Sequence, residues 1–334
     1  MASGDGVTTT IATTGYDYYS TENYSSNYDY ADSSVVAGTF QNQTCKAITI
    51  PKVILMPFLV LLLLLCLFGN LWLLFKLLKK RVKKVSTYLL ILMCVNSFCG
   101  CLCIIFTIVE NYIEFSTAVC KLRMMLFWGY VFFDMFLICW LCFDTWCAVW
   151  FQVKRTQHAN RNCWFLCTVV LIILAMVLSI QKALHIEAIK QQGQLVSQCQ
   201  FHSHAHTTLK VFNVAVSINV FGFILPMIFL CIFYGMCLWK LYKAVFKTRQ
   251  KIIKTMMLFV FMFLLTWGPF YIISFIQGLI SAEYISPQCG VKSLLSFLNS
   301  LLGLWGMAHG GLQVLIYILC NSNLNTSLFA CFKR

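Results

Sequence analysis

Charged side chains are scarce. Asp and Glu together number 11 in 334 residues, and the four charged types make up 11% against 60% hydrophobic residues. A soluble domain carries about 25% charge; one with so little could not cover its own apolar surface. An ordinary cytosolic enzyme is therefore excluded, and the same numbers exclude disorder over most of the length. A compact disulfide framework is missing too, because the 18 cysteines are spread through apolar runs of a long chain. HExxH, GxSxG and paired acids deep in an apolar run are all lacking, which leaves a membrane enzyme without its chemistry. No internal repeat is visible and only one acid lies deep, which speaks against a transporter or channel.

What the chain has instead is seven long apolar runs: 53–75, 85–109, 124–153, 162–181, 211–239, 255–282 and 293–320. Only the third carries charge, at Asp134 and Asp144. A bilayer core about 30 Å thick takes roughly 20 residues of helix at about 1.5 Å each. Lipid offers the backbone no partners, so each run is read as a helix. The fold class is all-α, a seven-helix transmembrane bundle.

Basic residues set the expected orientation. They cluster after the first run (Lys76, Lys79, Lys80, Arg81, Lys83, Lys84), after the third (Lys154, Arg155, Arg161), between the fifth and sixth (Lys240 to Lys254) and at Lys333-Arg334. These segments hold 17 of the 25 Lys and Arg. That side is read as cytoplasmic, the N-terminus as outside and the C-terminus as inside. The net charge of +14 is thereby spent at helix ends beside anionic lipid, and nucleic acid is not expected as a partner. No signal peptide opens the chain, so the first helix is expected to act as its own insertion signal.

Three regions follow: residues 1–49 as an extracellular tail, 50–320 as the membrane domain and 321–334 as a short cytoplasmic amphipathic tail. The first region is acidic and tyrosine-rich, with Asp5, Asp17, Glu22, Asp29 and Asp32 against Lys46 alone in residues 1–50. Asn23 and Asn42 begin glycosylation sequons. Tyr16-Asp17-Tyr18 and Tyr28-Asp29-Tyr30 repeat one pattern, and tyrosines beside acids are candidate sulfation sites. An anionic tail suits steering of a basic ligand. Cys120 and Cys199 both fall on the outer, oxidising side, and a bridge between them is expected. Cys45 and Cys289 form a second outer pair. Cys320 and Cys331 are candidate inner acylation sites. His202, His204 and His206 have metal-compatible spacing, but a polar loop is the favoured reading.

Several motifs occur at matching spacings. Gly69-Asn70 lies in the first run; Cys120 stands 24 residues before Asp144; Trp164 lies in the fourth run; Pro226 precedes Tyr234 by eight; Phe263, Trp267 and Pro269 share the sixth; Tyr317 ends the seventh. Together they resemble a G-protein-coupled receptor, over residues 45–320. The Cys45/Cys289 pair, the tyrosine-rich tail and His309-Gly310-Gly311-Leu312 resemble chemokine receptors, and the drift of the motifs resembles their gammaherpesvirus homologues. The resemblance implies a plasma-membrane receptor for a chemokine of the CXC class, coupled to a heterotrimeric G protein of the inhibitory class, with no enzymatic activity. Glu110, Glu114, Glu187 and Glu283 are the expected outer acids for a basic ligand, because Gly303 stands where the family carries an acid.

The departures carry the rest. Thr145, in Asp144-Thr145-Trp146, stands where the family has arginine. That arginine is held by its neighbouring acid at rest. Its loss is expected to weaken the resting state and give high ligand-independent activity, or else to disable coupling and leave a scavenger. Gln313-Val314 replaces Asn-Pro, and Asn96 replaces the second-helix aspartate with which the family coordinates sodium. Asp134 is expected to have taken over that acid's place, joined by Asn96, Gln313 and His309, holding sodium or a proton. Trp267 and Pro269 are read as a ring and kink that link ligand contact to movement of the sixth helix; Phe259, Phe261 and Phe263 are read as packing.

Overall fold

A computed structural model describes residues 48, 50–79, 85–150, 161–189, 198–201, 208–242 and 247–320. Residues 44–334 group as one compact unit, and residues 1–43 lie outside the described residues. Among the described residues, seven spans are long and apolar enough to cross a membrane. They are built from α1 (Lys52–Leu78), α2 (Val85–Val109), α3 (Thr117–Trp150), α4 (Arg161–Ala183), α5 (Thr208–Asn219) with α6 (Leu225–Tyr242), α7 (Lys247–Ser281), and α8 (Cys289–Met307) with α9 (His309–Cys320).

Each helix buries a stripe. On α1 the buried residues are Leu59, Leu62, Cys66, Asn70, Leu73 and Leu77, while Leu61, Leu64, Leu65 and Phe68 are exposed. Side chains three and four apart share a helical face, so this division is what one wall of a bundle requires. The exposed leucines would be a liability in water; in a bilayer they meet their own solvent, and helix association falls to close packing and polar contacts. Burial runs from 61% of the spanning window in α3 to 17% in α4. The third span is thus the hub, and the side chains that matter for switching lie on or against it.

Two spans depart from simple helices. Between α5 and α6, residues Val220–Ile224 form a π turn, closed by the Leu225 N–H donating to Val220 O. Pro226 follows and has no N–H to give one turn back, so the ladder widens just before it. Gly222 sits in that turn against the Phe132 ring, which any Cβ there would strike. The seventh span was expected as one helix. It breaks at Ala308, whose N–H turns to Trp305 O at 3.1 Å while its own carbonyl receives Gly311 and Leu312. The break turns His309 into the core.

The connection from α4 to α5 carries a two-stranded antiparallel sheet, β1 (Ile186–Ile189) with β2 (Gln198–Phe201), in which Ala188 faces Cys199. The bridge from Cys199 to Cys120, with Cα atoms 5.5 Å apart, fastens it over the start of α3. Ala188 N–H also donates to Thr117 Oγ1 at 3.3 Å. This end of the bundle is called the disulfide face below.

Candidate functional site

The middle of the bundle holds a fully buried polar cluster. Asp134 on α3 is 1% exposed, and His309 and Thr266 are 0% exposed. Gln313 Nε2 donates to both carboxylate oxygens of Asp134 at 2.9 Å. His309 Nε2 lies 2.9 Å from Asp134 Oδ2, and its Nδ1 lies 2.9 Å from Thr266 Oγ1. The break at Ala308 and the helical i, i+4 spacing place His309 and Gln313 on one face of α9. The cluster expected from sequence is therefore assembled, with one revision. Asn96 does not join Asp134; its Nδ2 donates to Tyr130 O at 3.0 Å instead.

A sodium ion at Asp134 is not what these contacts suit. A hard cation takes oxygen ligands, whereas two nitrogens crowd the carboxylate. Ser97 Oγ is engaged with Met93 O at 3.0 Å. Nearby, Asn70 Nδ2 donates to Cys66 O at 2.8 Å and to Gly310 O at 3.1 Å, tying α1 to the start of α9. The small cavity beside Gln313 is lined by Asn70, Tyr317 and apolar side chains, without Asp134.

Above the cluster, towards the disulfide face, lies a plug of aromatic rings. Trp267 is completely buried and meets Phe127 at 5.8 Å, Tyr130 at 6.0 Å and Phe270 at 5.6 Å. Trp128 stacks on Phe132 at 5.4 Å, and Phe223 stacks on Tyr271 at 4.8 Å. Such ring pairs are worth about 0.5–1.5 kcal/mol each beyond area. Gly303 faces Phe270, 3.4 Å from where its Cβ would be. At the level where the family's acid was missed, the space is taken by rings.

Pro269 sits inside α7 as expected. Its missing N–H frees the carbonyl four residues back, Leu265 O, and lipid cannot satisfy it. Trp305 Nε1 on α8 does so at 3.2 Å. Next to Trp305, Gly306 lies so close to the Trp267 ring that any Cβ would collide with it. Neither Trp305 nor Gly306 carried a sequence signal, because each works on a residue nearly forty positions away.

At the disulfide face, Glu110 is paired with Arg123. Glu187 lies on β1 opposite Gln200, and Glu114 and Glu283 are exposed. Glu283 has a φ of 59° in the turn after α7. Cys289 is disulfide-bonded. Its expected partner Cys45 lies outside the described residues, as do Tyr16, Asp17, Tyr18, Tyr28, Asp29, Tyr30, Asn23, Asn42, the three loop histidines and Cys331.

At the opposite face, Asp144 and Thr145 are buried. Thr145 Oγ1 donates to Leu141 O of its own helix at 2.9 Å. Trp146 stacks on Phe143 at 5.6 Å and meets Phe233 edge-on at 5.0 Å. Lys240 on α6 donates to Trp150 O at 2.8 Å and covers the Trp150 ring at 4.6 Å, so a cation caps the negative end of α3. Composition alone makes Lys240 a lipid anchor; the fold makes it a clasp between two spans. The Tyr234 hydroxyl has no hydrogen-bond partner among the described residues. Trp164 lies on α4 with its side chain outside the described set.

Comparison with known proteins agrees with this architecture. The family described as 7 transmembrane receptor (rhodopsin family) matches residues 69–317. The chain is 67% identical over 334 residues to "G-protein coupled receptor 74" of Equine herpesvirus 2 (strain 86/87), covering both chains completely. It is 22% identical to "viral G-protein coupled receptor" of Human herpesvirus 8 type P (isolate GK18), over 73% of this chain and 72% of that one. A shorter match, 26% identical over 35% of this chain and 32% of the other, is to "CX3C chemokine receptor 1" of Bos taurus. A multi-pass plasma-membrane architecture follows. With seven spans, a bridged third helix, a proline inside the sixth and a full-length viral relative, the chain belongs to the rhodopsin family of seven-transmembrane receptors.

Proposed function

We propose that the chain is a chemokine receptor-like receptor, not an enzyme, that activates heterotrimeric G proteins without needing a ligand. Its N-terminus lies outside. Residues 1–49 capture a basic chemokine of the CXC class through Tyr16, Asp17, Tyr18, Tyr28, Asp29 and Tyr30, and the inner face engages a G protein of the inhibitory class. The bovine relative is named a CX3C chemokine receptor, which supports a chemokine as the ligand without favouring the CXC class, and the tail's net negative charge supports capture of a cation.

The observation that carries basal activity is Thr145. Its hydroxyl is turned back to Leu141 O at 2.9 Å, and α3 carries no basic residue between Arg123 and its end at Trp150. The family's restraint at this point is a cation held by an acid, and here no cation is encoded. Withdrawing about 1.4 kcal/mol from one side of a two-state equilibrium moves it about tenfold.

Nucleotide exchange on a purified inhibitory-class G protein, with the receptor in nanodiscs and no ligand, tests the reading. A rate well above receptor-free controls is expected. A rate equal to those controls would leave the scavenger reading, in which the receptor binds chemokine without turning over G protein. A binding screen of purified chemokines, with and without residues 1–40, tests capture by the tail. Glycan mapping at Asn23 and Asn42 tests the orientation.

A further inference from the structure

Asp134 is a carboxylate in the middle of a membrane bundle, where an uncompensated charge is costly. The donors and acceptors placed around it limit what can neutralise it. Thr266 gives its hydroxyl hydrogen to Met262 O at 2.7 Å. Its oxygen, 2.9 Å from His309 Nδ1, is then an acceptor, and the hydrogen between them belongs to His309. The other ring nitrogen, Nε2, faces Asp134 Oδ2 at 2.9 Å and Gln313 Nε2 at 2.8 Å. The amide nitrogen has hydrogens to give and no lone pair to offer, so Nε2 meets it as an acceptor. A proton held on the Asp134 carboxyl and aimed at Nε2 removes the repulsion that a bare carboxylate oxygen would meet there. The Gln313 amide closes the remaining side by donating to both carboxylate oxygens at 2.9 Å. Phe263 holds the imidazole edge-on at 5.6 Å.

We propose that His309 and Gln313, with this proton, take the place of a metal cation at Asp134, so that the acid is neutralised from within the chain and the receptor is indifferent to sodium. Asn96 on α2 is turned to Tyr130 O, while Asp134 on α3 faces His309 and Gln313 of α9. His309 and Gln313 are positioning residues acting through Asp134. The inference rests on the arrangement of this cluster and is independent of which ligand or G protein the receptor uses.

The test is thermal unfolding of the purified full-length receptor in nanodiscs, in sodium, potassium or choline chloride at equal ionic strength. The wild-type midpoint is expected to be the same in all three. His309→Ala is expected to lower it by several degrees and to create a rise specific to sodium, because the ion can then reach an uncompensated carboxylate. His309→Gln, which restores an acceptor, should recover much of the loss. In an Asp134→Asn background His309→Ala should cost far less, since no charge remains to be neutralised. Should His309→Ala not fold, Gln313→Ala carries the same series. A wild-type midpoint that rises saturably with sodium alone, and loses that rise in Asp134→Asn, would overturn the proposal. Equal losses from His309→Ala with and without the acid would overturn it as well.

Discussion

Trp305→Phe isolates one hydrogen bond beside Pro269 of α7. Pro269 withholds the hydrogen that Leu265 O would have received, and Trp305 Nε1 supplies another at 3.2 Å. Phenylalanine keeps a ring at that position and deletes the donor. A typical hydrogen bond contributes about 1 kcal/mol net, and an unmet buried group costs about 1–3 kcal/mol. The 3.2 Å length and the partly exposed indole (Trp305 is 42% exposed) put this one near the lower end, at about 1 kcal/mol. For a bundle of this size that lowers the melting midpoint by about 2 °C. If the bond is lost when α7 moves, the same energy shifts the active fraction about fivefold. Both are read from purified receptor in nanodiscs, by thermal unfolding and by ligand-free nucleotide exchange. Pro269→Ala supplies the control, because alanine's own N–H can return to Leu265 O. In that background Trp305→Phe should cost close to nothing. An equal cost in both backgrounds would show that Trp305 acts through packing, and no cost in either would remove the bond from the account.

Three further outcomes are expected. Gly306→Ala places a methyl group into the Trp267 ring; it should destabilise by about 1–3 kcal/mol and alter tryptophan fluorescence, whereas Gly290→Ala, with nothing within 4 Å, should do neither. Cys199→Ser removes the bridge to Cys120 and should cost about 2–4 kcal/mol, seen as a lower unfolding midpoint and less receptor at the cell surface. Lys240→Met should loosen α6 from the end of α3 by about 0.3–1 kcal/mol, while Lys240→Arg, which keeps a donor for Trp150 O, should retain most of the wild-type midpoint.

The spans were legible because lipid imposes a simple rule: a helix must be apolar for its whole crossing. The third span nevertheless starts at Thr117, seven residues before the apolar run, because Lys121 and Arg123 are tolerated at its end; Arg123 finds Glu110 there. The break at Ala308 was hidden, since the run 293–320 passes through it without a proline or an Asp, Glu, Lys or Arg. It is written in backbone hydrogen bonds that no side-chain pattern reports. The polar cluster was half legible. A deep acid announces that it has a partner, but the choice of His309 and Gln313 over Asn96 depends on the rotation of α9 after the break. Trp305 was invisible for a related reason. Its function is to answer a proline in another helix, and sequence spacing carries no such pairing.

The positions just before Pro269 show how these contacts act together. Three successive residues of α7 each meet the seventh span by a different means. Leu265 O receives Trp305 Nε1, the Thr266 hydroxyl meets His309 Nδ1 at 2.9 Å, and the Trp267 ring rests on Gly306. All three lie on the side of the kink that must travel if α7 pivots at Pro269, so a pivot breaks them in one event. Contacts that break together make a two-state element rather than a graded one. His309 extends that element to Asp134 on α3. On the reading proposed above, these contacts would restrain the resting state in the middle of the membrane, where Thr145 leaves the end of α3 without a cation. The expected signature is strong non-additivity: once Trp305→Phe has loosened the segment, His309→Ala should change basal exchange much less than it does alone. Additive changes within about 0.3–0.5 kcal/mol would mean that the contacts act separately and that no single switch joins them.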